Sequence, residues 1–204
     1  MPTSYARNLG ATFDSTMSMD VHTNLTVRNI HYYIRQIGKI RGHLDDETAA
    51  KVIQALITSR LDINNALLAG TSKSNINRLQ IAQNTAARLL TRTKRTEHIT
   101  PILRSLHWLP VEARILFKVL IHVYKMLHLD SFPIYLKTMV EVYVPGRSLR
   151  SSDSHQLCVP RSHNVYGDRT FARFAPIAWN ALPFELKCAG SLLSFKKSLK
   201  THLF

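Results

Sequence analysis

Apolar residues return at three- and four-residue steps over most of this chain, and that period admits helices and little else. Val27, Ile30, Ile34, Ile37 and Ile40 fall on one stripe, which predicts an amphipathic helix from about Asp20 to Arg41, ended by Gly42. Asp45, Asp46 and Glu47 then supply an acidic first turn suited to the positive end of a second helix dipole. That helix carries Ala49, Val52, Ile53, Leu56, Ile57 and Leu61 and is expected to run on toward Leu68, short of Gly70. Ser74 is the expected N-cap of a third helix, with Ile76, Leu79, Gln83, Ala86, Ala87 and Leu90 on one face and Arg78, Arg88 and Arg92 on the other. Pro101 and Pro110 stand where helices begin, because the N–H they lack is unpaired there anyway. They predict a short helix to Leu106 and a longer one to about Leu129, with Ile115, Leu116, Val119, Leu120, Val123 and Leu127 inward.

Beyond Pro133 a helical stretch is expected to reach Tyr143. The texture then changes at Val144-Pro145-Gly146-Arg147, and turn formers and serines accumulate through Ser154, which predicts a boundary. Leu157 to Pro160 reads as extended, with Tyr166 to Phe171 as its pairing partner, and Pro176 and Pro183 frame an element around Trp179. In the tail, from Ser191 to Phe204, Leu192, Phe195, Leu199 and Leu203 keep helical spacing opposite Lys196, Lys197 and Lys200. The expected fold class is mainly α. Residues 1–19 form a short extended start, 20–143 a helical bundle, and 144–204 a small irregular α+β part closed by a terminal helix.

Composition matters for what it excludes and for its charge. With 45% hydrophobic and 20% charged residues the chain is neither collagen-like, low-complexity nor wholly disordered. Cys158 and Cys188 are too few for a disulfide framework, and the start MPTSYARNLG lacks the apolar core of a signal peptide. Both features predict an intracellular protein, nuclear or cytoplasmic and not secreted. The longest apolar stretch, Ile115 to Tyr124, is interrupted by Lys118 and His122, so no membrane partner is expected. The net charge is +14, and it is uneven. Residues 1–75 hold eight Lys/Arg against six Asp/Glu, whereas residues 76–204 hold nineteen against seven. Such an excess raises the local concentration of polyanions, unless the charges are no more than solvated helix faces.

Motifs that carry chemistry are missing: GxxxxGK[ST], GxGxxG, HExxH and GxSxG do not occur. None of the ten histidines is paired with cysteine at metal-finger spacing, so neither a metal site nor a cofactor is predicted. The adjacent acids Asp45-Asp46 would suit two-metal phosphoryl transfer only on a hairpin between apolar strands; here they lead into a helix, and capping is the better account. Arg88, Arg92, Lys94 and Arg95, followed by His98, Arg104 and His107-Trp108, interleave phosphate-contacting cations with an aromatic ring. The competing expectation makes Trp108 and Trp179 core anchors.

The run NRLQIAQNTAARLLTRTKRTEHITPILRSLHWLPVEARILFKVLIHVYKMLH, from Asn77 to His128, resembles the post-catalytic part of the reverse transcriptase encoded by LINE-type, non-LTR retrotransposons of the jockey-like group. NLGATFDSTMSMDVH, SRLDINNALLAG, PGRSLRSS, GDRTFARFAPIAWNALP and FKKSLKTHLF are similar to the family pattern in the same order, so the resemblance covers about Asn8 to Phe204. It departs at Ile63-Asn64, where the family carries Tyr-Cys. The resemblance implies that residues 1–19 are the remnant of the palm's end and that the helices to residue 143 form a thumb-like domain. It places the palm carboxylates of this RNA-directed DNA polymerase upstream of Met1, so the chain alone is expected to be no enzyme.

By this resemblance the chain is a noncatalytic nucleic-acid-binding fragment that grips template and primer through phosphates, with RNA or an RNA·DNA hybrid as partner and the missing palm as a further contact. Grooves of varying sequence are gripped by shape and backbone, which suits Arg and Lys. The candidate contacts are Arg78, Arg88, Arg92, Lys94, Arg95, Arg104, Arg114 and Lys118. The alternatives are a decayed element with no selected activity, or a protein-interaction module with apolar surface near Phe13, Leu44 and Trp179.

Overall fold

The computed structural model describes residues 4–144 and 155–204; the serine-rich boundary expected from Pro145 to Ser154 lies outside the described residues. The chain is mainly α and divides into two compact units, residues 1–114 and 115–204.

In the first unit, β1 (Tyr5–Asn8) and β2 (Ala11–Asp14) pair antiparallel, with Tyr5 opposite Asp14 and Asn8 opposite Ala11. Their two-residue turn holds Leu9 at φ 46° and Gly10 at φ 86°. This is the mirror-image turn whose twist matches paired strands, and only glycine adopts it without strain. Asp14 closes the hairpin and starts the next helix. Its carboxylate accepts from the Thr16 hydroxyl at 2.7 Å, from Ser18 N at 2.8 Å and from Met19 N at 2.9 Å. Burial raises the pKa of this group, but the hydrogen bonds from Thr16, Ser18 and Met19 outweigh it and bring the carboxyl from 3.8 down to about 2. A depressed pKa means stability that is present above pH 3.8 and lost as pH falls through 2. Asp14→Asn is therefore expected to cost about 2 kcal/mol at neutral pH and progressively less toward pH 2, measured by urea unfolding across that range.

α1 (Asp20–Ile40) buries Thr23, Ile30 and Ile37, and its main packing partner is α4 (Lys73–Thr91), which buries Leu79, Ala82, Gln83, Ala86, Ala87 and Leu90. The two helices run in the same direction. At their starts the Arg78 guanidinium donates to Asn24, Asn75 and Asp20, the last at 3.4 Å. At their ends Arg41, only 5% exposed, donates to Leu89 O at 3.2 Å, Leu90 O at 2.7 Å and Leu44 O at 2.9 Å, and also meets Asp46. The acidic turn caps α2 (Asp46–Ile53) as expected: Asp45 accepts from Thr48 N at 2.8 Å.

Two helix limits differ from expectation. The second helix does not reach Leu68; it loosens into a π-turn over Gln54–Thr58, re-forms as α3 (Ser59–Asp62) and stops. Asn64 takes φ 55°, a conformation asparagine tolerates, and its amide donates to Leu9 O at 2.8 Å, so attachment to the hairpin ends the helix. The N-cap of α4 is Ser72 rather than Ser74, because buried Asn75 is tied to Ser18 O at 3.2 Å and to the Thr71 hydroxyl at 3.0 Å. α5 spans Ile99–Ser105 and α6 spans Val111–His128. The start of α6 is held by α4: Gln80 accepts from Val111 N at 2.8 Å, and fully buried Gln83 donates to Leu109 O at 2.8 Å.

In the second unit the stretch beyond Pro133 is helical only over α7 (Ile134–Lys137) and does not reach Tyr143. Val140, Val142 and Val144 alternate, a strand pattern, and Val142 bridges Leu157 with Cys158 N donating to Glu141 O at 2.8 Å. Leu157 is thus extended, but its partner is not Tyr166, which lies in α8 (Val165–Asp168). The other side of Leu157 is taken by the Asn180 side chain, which accepts from Leu157 N at 2.8 Å and donates to Leu157 O at 2.9 Å. α9 (Phe171–Asn180), α10 (Phe184–Lys187) and α11 (Leu192–His202) complete the unit. Its core is Trp179, Phe195 and Leu199, all 0% exposed, with Tyr124 stacked on Phe195 at 4.4 Å. Trp179 is therefore a core anchor and offers no apolar surface to a partner. Among the described residues no helix is long and apolar enough to cross a membrane.

Candidate nucleic-acid interface

The eight cations singled out in the sequence do not form one surface. Arg114 is 12% exposed at its side chain; it pairs with Asp62 at 2.9 Å and donates from Nε to Leu109 O at 2.9 Å. Arg78 is committed to the α1–α4 junction described above. Arg88 donates to Lys94 O at 2.6 Å and to Glu97 O at 2.7 Å, folding the turn that follows α4 over that helix. Arg92 takes φ 56° as the C-cap of α4 and reaches Arg41 O at 3.4 Å. These four guanidiniums serve the fold first. Each satisfies carbonyl or carboxylate oxygens, and Arg88 and Arg92 lie where a helix C-terminus favours positive charge.

Lys94 and Arg95 are exposed on the turn that Arg88 folds, and neither takes part in an ion pair among the described residues. Arg104 is exposed on α5, and Lys118 is exposed on the part of α6 that belongs to the second unit. Trp108 is half-buried, so its ring is partly packed rather than presented whole.

A further cationic face lies elsewhere, on α1. Arg28, Arg35 and Lys39 are all exposed and outside every ion pair among the described residues. Tyr32, 51% exposed, sits between them at the i, i+4, i+7, i+11 spacing of a single helical stripe. At 1.5 Å per residue the stripe is roughly 16 Å long. After Asp20 the helix carries no Asp or Glu, so nothing on it neutralises these charges. Solvent faces usually mix signs, and a single-sign face with an aromatic ring is the arrangement that meets phosphates and stacks a base or sugar. Since Arg41 joins the end of α1 to the end of α4, Lys39 and the Lys94-Arg95 turn stand at the same end of this helix pair.

Beside α1 the hairpin and α3 enclose a cleft of about 300 Å3 lined by Arg7, Gly10, Thr12, His22, Asn29 and Arg60, among others. Arg60 lies over the Tyr33 ring at 4.7 Å and donates to the Tyr33 hydroxyl at 3.0 Å. His22 accepts from Thr12 N at 3.4 Å through Nδ1, and burial lowers its pKa, which keeps the ring neutral and able to accept. The cleft adds two guanidiniums to the cationic content of the first unit.

The regional charge count hid the α1 face. The six acids of residues 1–75 stand at 14, 20, 45, 46, 47 and 62, none of them on the exposed stripe, yet they cancel its charge in the sum. The helical spacing of Arg28, Tyr32, Arg35 and Lys39 is the signal that reveals it. The chain matches no family model, no curated protein and no solved structure.

Proposed function

We propose that this chain is a noncatalytic nucleic-acid-binding element that grips a template and primer duplex, RNA or an RNA·DNA hybrid, through its phosphates. The observation that carries the reading is the acid-free face of α1, with Arg28, Arg35 and Lys39 exposed around Tyr32. Lys94 and Arg95 extend it at one end, and the sequence resemblance to the thumb and C-terminal part of a non-LTR retrotransposon reverse transcriptase supports the same function. Phosphate contact through Lys and Arg is indifferent to sequence, as a duplex of varying sequence requires. A partner of this kind implies residence in the nucleus or cytoplasm. Contact with a palm supplied by a longer polyprotein belongs to the same reading.

Binding to a mixed-sequence RNA·DNA hybrid should weaken steeply with salt, because each neutralised phosphate releases counterions. Replacing Arg28, Arg35 and Lys39 together by alanine is expected to reduce the log–log salt slope by about 2–3, roughly one per lost contact. The triple variant should keep its helix content, since none of the three side chains is buried. An unchanged slope, or affinity indifferent to salt in the parent chain, removes the reading. The interaction-module alternative is favoured by the exposed apolar residues Ile134, Tyr135 and Val144 of the second unit, 79%, 72% and 81% exposed. It requires self-association or a complex that persists at high salt, because apolar burial is not screened.

A further inference from the structure

The second unit holds a cleft of about 460 Å3 that the proposed grip does not use. Tyr124 and His128 from α6, His155, Lys187 and the segment from Cys188 to Leu192 line it, and among the described residues the lining contains no carboxylate. Lys187 is the unusual member. It is 2% exposed, and its Nζ donates to Asn180 O at 3.2 Å. It belongs to none of the ion pairs among the described residues. An ammonium has three donors, and one buried without a counter-charge among the described residues is costly, so Lys187, lining a cleft with donors to spare, favours an anion there. Burial pushes the Lys187 pKa down, with the neighbouring Cys188 thiol opposing it. A bound anion would reverse that shift.

Three further features converge on the same space. α11 begins here: Ser191 caps it by accepting from Ser194 N at 3.1 Å, and the first amides of the helix have no intrahelical acceptor. Partial burial lowers the His128 pKa, with the neighbouring His155 adding to the shift, and each ring is braced by an aromatic neighbour, Tyr124 at 4.3 Å and Phe184 at 5.9 Å. An imidazole keeps one N–H donor even when neutral. The Tyr124 hydroxyl donates to Ala189 O at 2.6 Å and so holds the Cys188 to Ser191 segment in place, while Trp179 Nε1 donates to His155 O at 2.8 Å. The backbone that borders the cleft is thus held before any ligand arrives.

We infer that this cleft binds a phosphate monoester dianion, received by the Lys187 ammonium, the ring N–H groups of His128 and His155 and the first amides of α11. A monoester presents three terminal oxygens to such a ring of donors and free phosphate four, whereas an internal phosphodiester presents two and must carry chain out on both sides. Two sources share this chemistry: a small phosphorylated molecule and the 5′ end of a nucleic acid. The inference does not depend on the α1 grip.

The test is equilibrium dialysis of the full chain against radiolabelled inorganic phosphate at neutral pH and about 150 mM salt, where surface charges are largely screened. Saturable uptake of one phosphate per chain is expected. Lys187→Met should weaken it about tenfold, the effect of losing a charge-assisted hydrogen bond. His155→Gln, at an exposed position, should weaken it severalfold while leaving the fold intact, so it decides the matter if Lys187→Met fails to fold. The triple α1 variant should bind phosphate as the parent does, which separates failure here from failure of the grip. Competition by a 5′-phosphorylated oligonucleotide but not by its 5′-hydroxyl twin assigns a nucleic-acid end. Competition by neither assigns a small phosphate compound. Equal competition by both overturns the monoester assignment. No saturable uptake, or uptake that His155→Gln and a folded Lys187→Met leave unchanged, overturns the site itself.

Discussion

Arg41→Ala is expected to destabilise the first unit by about 3 kcal/mol, the loss of several hydrogen bonds from a charged donor to buried and part-buried acceptors. The magnitude comes from the carbonyl oxygens rather than from the ion pair. Asp46 is 86% exposed at its side chain, so its pairing with Arg41 contributes on the order of 1 kcal/mol or less. Leu89 O and Leu90 O, at the end of α4, and Leu44 O, in the link to α2, each lose a guanidinium donor at 3.2, 2.7 and 2.9 Å. Arg41→Lys should recover only a part, roughly one hydrogen bond's worth, because an ammonium lacks the planar fork that reaches several oxygens at once. Arg41→Met, which keeps the packing, should resemble alanine more than lysine. Urea unfolding followed by helical circular dichroism measures all three, and an Arg41→Ala loss of unfolding free energy below about 0.5 kcal/mol would show that water replaces the guanidinium without loss. Because Arg41 ties the end of α1 to the end of α4, the same variant should also blunt the salt dependence of nucleic-acid binding. It loosens the geometry that places Lys39 beside Lys94 and Arg95.

Trp179→Ala should be the most damaging change in the second unit, about 3–5 kcal/mol, as for other fully buried aromatic rings. The side chain is 0% exposed, lies 5.9 Å from the Phe195 ring and donates from Nε1 to His155 O at 2.8 Å. Alanine removes the ring, leaves a cavity against Phe195 and orphans the carbonyl. Trp179→Phe keeps most of the volume and loses the donor, so it should cost about 1–2 kcal/mol and isolate the hydrogen bond from the packing. Denaturation of both variants, followed by helical circular dichroism, gives the comparison. Equal losses for alanine and phenylalanine would mean that the hydrogen bond, and not the core, carries the effect. A displaced His155 should carry phosphate affinity down with it.

The helices were readable because their signals are local. The stripe of Ile30 and Ile37, the acidic turn at Asp45 and the proline at Pro110 each act within a few residues, and α1, α2 and α6 begin or end where those signals place them. The missed limits share one cause, a partner distant in sequence. Asn64 turns left-handed because its amide reaches Leu9, 55 residues away, and Leu157 is paired through the Asn180 side chain, 23 residues away. Ser72 rather than Ser74 caps α4 because buried Asn75 must meet Ser18. No window of one helical turn contains those partners.

The candidate site divides along the same line. That the chain is cationic, helical and without a nucleotide-cradling loop or a nucleophile elbow follows from residue types and their spacing, which need no coordinates. Which cations are available does not, since a guanidinium in the sequence carries the same charge whether it faces solvent or satisfies a buried carbonyl. Folding spends Arg41, Arg78, Arg88 and Arg114 on internal oxygens and leaves Arg28, Arg35, Lys39, Lys94 and Arg95 facing water. It also buries Lys187 beside a cleft that nothing in the order of residues announces. Charge is additive along a chain, whereas desolvation and hydrogen bonding depend on what the packed neighbours supply, and only the assembled helices bring those neighbours together.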